Sequence, residues 1–289
     1  GAVYLFAQIP AGHFYVERPH WPNGAKLEIT ALDLKSGAAL HIRTKESDWL
    51  CDTGSVRDYE RVVRQYLRSR GVNRLDGLIV THGDGGHIGG GSALLLDFRP
   101  RRLIDTATQD RSPIRRKFIA GLPNNGKLRQ ACAAGDGFDL SRDVKAKVLF
   151  PSRGFEGKKS DDQALVIQLV VSDRARVLIM SDGGVATEQS LLTKYPELRS
   201  DIIVKGQHYS GISGSDAFLD RVQPDAIVAT SRDFPEYERI KDEWVQHVET
   251  RGIKLFRQDI TGAVRIRIFD DHWEAHSYVT SETFRRTSR

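Results

Sequence analysis

From Leu27 the chain alternates apolar and polar residues, Leu27-Glu28-Ile29-Thr30-Ala31-Leu32-Asp33-Leu34, and after a Ser36-Gly37 turn Ala39-Leu40-His41-Ile42-Arg43 resumes the same period. Successive strand residues point to opposite faces, so a period of two predicts a meander of half-buried strands. Trp49-Leu50-Cys51 continues it into an Asp52-Thr53-Gly54 turn. The period then changes. Tyr59, Val62, Val63, Tyr66 and Leu67 recur at helical spacing and Gly71 closes the segment, which predicts a helix over 59–70. Leu75 to Val80 reads as a buried strand running into Thr81-His82-Gly83-Asp84-Gly85-Gly86-His87, with a helix over Ser92 to Phe98 behind it. Leu165–Val171 and Arg176–Met180 predict a hairpin ending at Ser181-Asp182. Asp201–Lys205 predicts a strand that stops at Gly206-Gln207-His208-Tyr209-Ser210, and Ala226–Ala229 and Lys254–Phe256 read as further strands. Polar residues able to bind a metal thus recur where apolar strands end, which is how an α/β scaffold delivers side chains to one rim.

No repeat of 20 to 50 residues is visible, which sets solenoids and propellers aside. Residues 111–160 lose the clear periodicity and carry 12 Lys and Arg against 4 Asp and Glu, while the rest of the chain carries 31 against 34. The positive charge is therefore local: Arg115, Arg116, Lys117, Lys127 and Arg129, with Phe118 beside them for stacking, form a candidate patch for a nucleic-acid backbone. A solvated basic loop is the plainer alternative. Two cysteines, Cys51 and Cys132, cannot build a disulfide scaffold or a four-thiolate zinc site. No apolar run approaches the roughly 20 residues of a membrane-spanning helix. The opening Ala2-Val3-Tyr4-Leu5-Phe6-Ala7 reads as a buried strand or the end of a membrane segment, so residues 1–26 are set apart from a domain over 27–280. Residues 281–289, with Arg285, Arg286 and Arg289, read as a disordered basic tail.

The stretch His82-Gly83-Asp84-Gly85-Gly86-His87 carries the most chemistry. Two imidazoles and a carboxylate lie within six residues at a strand end, with glycines that let the backbone turn tightly. An isolated stretch of this kind is often only a polar turn, but Asp52, Asp182 and His208 each follow another apolar strand, and O/N donors of this type suit a borderline or hard divalent ion. Other motifs fail on inspection. Gly121 to Leu128 has the P-loop glycines and Lys127, but Leu128 replaces the Mg²⁺-binding hydroxyl, so no nucleotide cofactor is expected. Ile88 replaces the third glycine of a dinucleotide fingerprint, and Ser210 to Ser215 lacks the order of a serine-hydrolase elbow.

Taken in order, Leu32-Asp33-Leu34-Lys35-Ser36-Gly37, Asp52-Thr53-Gly54, Thr81-His82-Gly83-Asp84-Gly85-Gly86-His87-Ile88-Gly89-Gly90, Ser181-Asp182 and Gly206-Gln207-His208-Tyr209-Ser210 resemble the metallo-β-lactamase superfamily. Within it they are similar to the soluble C-terminal domain of ComEC/Rec2-family competence DNA-uptake proteins. The resemblance implies an αββα sandwich of α/β class, with His82, Asp84, His87, Asp182 and His208 around Zn²⁺ or Mn²⁺, and Asp84, His87 and Asp182 acting in catalysis. Asp52 and Gln207 would lie near the site. Gly86 stands where the family has an aspartate that ligates a second metal, and Gln207 replaces the first of two histidines, so one ion is expected, with a second on His87 and His208, or no ion at all, as the alternatives. The implied activity is a phosphodiesterase or nuclease acting on DNA beside a membrane-embedded part of the parent protein, at the extracytoplasmic face, or in the cytoplasm if the parent is no channel. The alternatives are a non-catalytic DNA-binding or structural module, and a hydrolase of lactones, thioesters or β-lactams, because fold does not fix function.

Overall fold

In the computed structural model, which describes residues 21–34, 37–108, 112–210, 213–230 and 239–288, the alternating segments pair into two sheets. The strands are β1 (Leu27–Ala31), β2 (Leu40–Arg43), β3 (Asp48–Cys51), β4 (Gly77–Val80), β5 (Arg102–Thr106), β6 (Arg129–Cys132), β7 (Gly137–Asp139) and β8 (Val144–Phe150). They continue with β9 (Val166–Val171), β10 (Ala175–Ser181), β11 (Ile202–Lys205), β12 (Ala226–Ala229), β13 (Lys254–Arg257), β14 (Val264–Ile268), β15 (His272–Ser277) and β16 (Thr283–Thr287). The first sheet runs β16-β15-β14-β1-β2-β3-β4-β5-β6, antiparallel as far as β3 and parallel beyond it. The second runs β13-β12-β11-β10-β9-β8-β7, parallel from β13 to β10 and antiparallel after it.

Period-two patterning decides which face each residue occupies. Leu27, Ile29 and Ala31 of β1 meet Ile167, Leu169 and Val171 of β9 in one core between the sheets. The outer face of the first sheet, with Leu50, Leu78, Val80 and Leu103, packs against Tyr59, Val63, Leu67, Leu94, Phe98 and Phe118. These come from three helices. The first, α1, is continuous through Val56–Asp58, a π-helical turn at Tyr59–Val63 and Arg64–Ser69, and is capped by Ser55, whose Oγ accepts the Asp58 N–H. After a short helix α2 (Gly85–Ile88), the other two are α3 (Gly91–Phe98) and α4 (Pro113–Ala120). On the second sheet Val166, Leu178, Met180, Ile203 and Ile227 are covered by residues of α5 (Val185–Lys194), α6 (Asp216–Val222) and α7 (Asp242–Thr250). Two stacked sheets with helices outside both make the expected αββα architecture.

Two expectations change. Residues 112–160 are not a loose basic loop: they supply α4, the edge strand β6, and β7 and β8 of the second sheet. In β8 the buried Val144, Ala146 and Val148 alternate with the exposed Lys145 and Lys147, so lysine masks a regular strand. The C-terminal segment is no tail, because β16 pairs along β15 and Phe284 packs against the inter-sheet core; Arg289 lies outside the described residues. Cys51 and Cys132 are both buried and free. The apolar stretch Ala2–Ala7 also lies outside the described residues, among which no helix is long and apolar enough to cross a membrane.

Candidate metal centre

Four of the sequence-predicted residues lie at the C-terminal ends of strands in parallel pairs: Asp52 after β3, His82 after β4, Asp182 after β10 and His208 beyond β11. Ends of parallel strands gather side chains because neighbouring strands stop together while their loops diverge. Asp52 is turned into the cluster by a left-handed backbone, φ 61°. Its Oδ1 accepts the Thr81 N–H at 2.8 Å and its Oδ2 accepts the Thr81 hydroxyl at 2.7 Å. Thr81 Oγ1 is also 2.8 Å from Ser181 Oγ, which ties the first sheet to the second directly beneath the site.

His82 is fully buried, with Nδ1 3.0 Å from Thr81 Oγ1. Its Nε2 has no hydrogen-bond partner among the described residues. That nitrogen faces Asp182 Oδ2 at 3.6 Å and Asp161 Oδ1 at 4.0 Å, too far for hydrogen bonds. Burial, and then the neighbouring His87, lower the pKa of His82, which leaves a neutral imidazole with a free lone pair. His87 behaves oppositely. Its Nδ1 lies 2.8 Å from Asp52 Oδ2 and its Nε2 2.9 Å from Asp182 Oδ2. Burial opposes its charge, but Asp182 and Asp52 raise its pKa well above the ordinary value, so it donates to both carboxylates as an imidazolium. In return, and against the effect of burial, His87 holds Asp182 down at about 2.

Asp161, which the sequence reading did not single out, completes the cluster. It opens a short 3-10 turn, Asp161–Gln163, before β9, and Leu165 N–H bonds the Thr81 carbonyl, which brings that turn over His82. Donor atoms of His82, Asp84 and Asp161 lie within 4.8 Å of one another, as do those of Asp52, His82 and His87. Asp161 Oδ2 accepts the Tyr209 N–H at 2.8 Å. Burial and then the charge of Asp182 push its carboxyl up to about 7. The carboxyl groups of Asp84, Asp161 and Asp182 stand around the neutral His82 imidazole, with the His87 imidazolium paired to Asp182. With the unpartnered His82 nitrogen, this donor set fits a divalent cation.

His208 is brought to the rim but into another partnership, its Nε2 3.1 Å from Asp162 Oδ1 and its Nδ1 2.7 Å from Ser210 Oγ. Gln207 is half-buried next to it. Gly86 lies in α2, and its carbonyl accepts the Ala38 N–H. The backbone at Gly206 passes close to the site: a Cβ there would lie 1.8 Å from Asp182 Oδ1. Gly206→Ala is therefore expected to displace that carboxylate and to weaken metal binding at least 10-fold, read by calorimetric titration, with the far-ultraviolet circular dichroism unchanged. Behind the rim Lys205 is buried and donates to the Gly206 carbonyl at 2.8 Å, and burial lowers its pKa to about 8.

The five basic candidates divide. Arg116, Lys117 and Lys127 are exposed. Arg115 is buried, and together with Arg129 it grips the fully buried Asp105, each at 2.7 Å, so these two guanidinium groups are engaged in the interior. Phe118 is also buried, within the helix layer, and presents no stacking face. Helix α4, which carries Arg116 and Lys117, is fastened to the histidine loop: Ser112 Oγ donates to the Gly83 carbonyl at 2.6 Å. On the other side the Gly83 N–H donates to Ser160 Oγ at 3.2 Å, next to the exposed Lys158 and Lys159.

No family model matches the chain. Solved structures share its architecture: the metallo-β-lactamase fold protein YhfI from Bacillus subtilis (TM-score 0.52, 10% identity, 80% of this chain and 95% of that one) and the diiron β-hydroxylase CmlA from Streptomyces venezuelae (TM-score 0.53, 12% identity, 86% and 55%). The chain has a metallo-β-lactamase fold. In sequence it resembles competence proteins: ComA of Neisseria gonorrhoeae, 29% identical over 279 residues that cover 90% of this chain and 37% of the relative, and ComE operon protein 3 of Bacillus subtilis, 23% identical over 257 residues that cover 83% and 33%. Recombination protein 2 of Haemophilus influenzae is 26% identical over 281 residues, 94% of this chain and 31% of the relative. The chain thus spans about a third of the length of the curated relatives it matches.

Proposed function

We propose that this chain is a metal-dependent phosphodiesterase domain, a nuclease acting on DNA as part of a competence DNA-uptake protein. The observation that carries the reading is the fully buried His82 nitrogen left without a hydrogen bond among carboxylates at the strand ends. A Zn²⁺ or Mn²⁺ ion bound there would acidify a water and polarise a phosphodiester oxygen. The chain's own residues do the rest. Asp52 fixes the ring of His87 through Nδ1, and His87 fixes Asp182 through Nε2. Arg116 and Lys117 on one side of the histidine loop and Lys158 and Lys159 on the other offer cations to a phosphate backbone. That distribution favours a polyanion over a neutral lactone, thioester or β-lactam. Glycine at position 86 removes one donor but leaves His82, Asp84, Asp161 and Asp182 gathered, which favours a working centre over a relict module. By analogy with its relatives the parent protein would be membrane-associated, with this domain at the extracytoplasmic face.

The test is cleavage of single-stranded and duplex oligonucleotides by the metal-stripped protein, with Mn²⁺ or Zn²⁺ restored. Metal-dependent scission is expected, and its absence with both ions would overturn the reading. Backbone contact has its own signature. Arg116→Ala and Lys117→Ala are each expected to lower the slope of log affinity against log salt by about 1, measured by fluorescence anisotropy, with little change in base preference.

A further inference from the structure

We propose that the centre holds a single ion on His82, Asp84 and Asp161, and that His87, although it belongs to the same histidine motif, is a hydrogen-bonded bridge between Asp52 and Asp182 and not a ligand. The inference deepens the reading above and rests on it only in supposing that a divalent cation binds.

The two candidate donor groups differ in what their atoms already do. In the group of Asp52, His82 and His87 the donors are committed. Asp52 Oδ1 accepts the Thr81 N–H, and Asp52 Oδ2 serves both the Thr81 hydroxyl and His87 Nδ1. His87 Nε2 is 2.9 Å from Asp182 Oδ2, so neither ring nitrogen offers a lone pair without breaking a short buried contact. The group of His82, Asp84 and Asp161 is open. His82 Nε2 has no hydrogen bond among the described residues, and Asp161, with Oδ2 engaged by the Tyr209 N–H, turns Oδ1 toward that nitrogen at 4.0 Å. Two donors on one ion, each about 2.1 Å from it, can be separated by up to about 4.2 Å. The 4.0 Å to Asp161 satisfies that limit with an Oδ1 that is not engaged by the Tyr209 N–H, whereas the Asp182 Oδ2 at 3.6 Å is already held by His87 Nε2 at the hydrogen-bond length of 2.9 Å. His208, paired with Asp162 and Ser210, is excluded on the same ground. The arrangement also accounts for Gly86: a chain that keeps its second position bridged by His87 has no use there for another carboxylate.

The experiment titrates the metal-stripped chain with Mn²⁺ alone, following free Mn²⁺ by electron paramagnetic resonance. One ion per chain is expected. Asp161→Asn should weaken binding at least 10-fold, while His87→Gln should keep one ion within about 3-fold of the parent affinity. Should His87→Gln fail to fold, the unmodified protein grown with ¹⁵N-histidine decides the matter. Its bound Mn²⁺ should show coupling to one imidazole nitrogen in pulsed spectra. Two ions per chain, two coupled imidazoles, or a loss in His87→Gln equal to that in Asp161→Asn would overturn the proposal. These readouts do not depend on cleavage, so a chain that binds one ion in this way but leaves DNA intact would sink the nuclease reading and keep this one.

Discussion

His82→Ala is expected to abolish metal-dependent cleavage and to lower metal affinity by at least about 100-fold, more than the 10-fold to 100-fold usual for losing an outer partner of a ligand. The argument is geometric. His82 supplies the unpartnered nitrogen around which the other donors stand, at 3.6 Å from Asp182 and 4.0 Å from Asp161. No other described residue supplies an unengaged imidazole to the cluster, since His87 and His208 are both paired with carboxylates. Folding should survive, because Thr81 keeps its bonds to Asp52 and Ser181 when the ring is removed. Elemental analysis and calorimetry on the variant check the affinity, and oligonucleotide cleavage checks the activity. A variant that retained stoichiometric metal would place the centre elsewhere.

Asp105→Ala is expected to destabilise the protein by about 3–5 kcal/mol, the usual effect of removing one partner of a buried ion pair. Asp105 is fully buried and accepts from Arg115 Nη2 and Arg129 Nε, while the Arg115 side chain is itself almost wholly buried. Without the carboxylate, the Arg115 guanidinium would keep only the Thr106 carbonyl at 3.2 Å. For a domain of this size the loss corresponds to a fall in melting temperature of roughly 5–15 °C. Arg116→Ala and Lys117→Ala, on exposed positions of the same helix, should change stability by no more than about 0.5 kcal/mol. Thermal melts of the three variants separate the ion pair that builds the fold from basic residues that face solvent. A change below about 1 kcal/mol in Asp105→Ala would mean that Arg115 finds other solvation.

The reach of the sequence is uneven for identifiable reasons. Leu165–Val171 was legible as a nearly unbroken apolar run buried on both faces, and Leu27–Ala31 by alternation, its apolar residues facing the core between the sheets. The strand within Val144–Phe150 follows the same rule but was obscured by lysines on its solvent side. The charge of the segment 111–160 was read correctly as a sum and incorrectly as a surface, since Arg115 and Arg129 turn inward to Asp105. Asp161 escaped notice because it precedes its strand, whereas the other predicted residues follow theirs. The available signal was an Asp161-Asp162 pair directly before an apolar run.

By itself the sequence determined the elements, the strand-end placement of Asp52, His82, Asp182 and His208, and the resemblance to competence proteins. Each of these depends on local periodicity or on letters in a fixed order. Only the tertiary structure decided which donors remain available. Asp161 reaches His82 through a backbone bond between Leu165 and Thr81, 84 positions apart, and His87 and His208 are committed to carboxylates from distant segments. Whether an imidazole nitrogen is free or engaged depends on partners within about 3 Å in space, and spacing along the chain does not specify them.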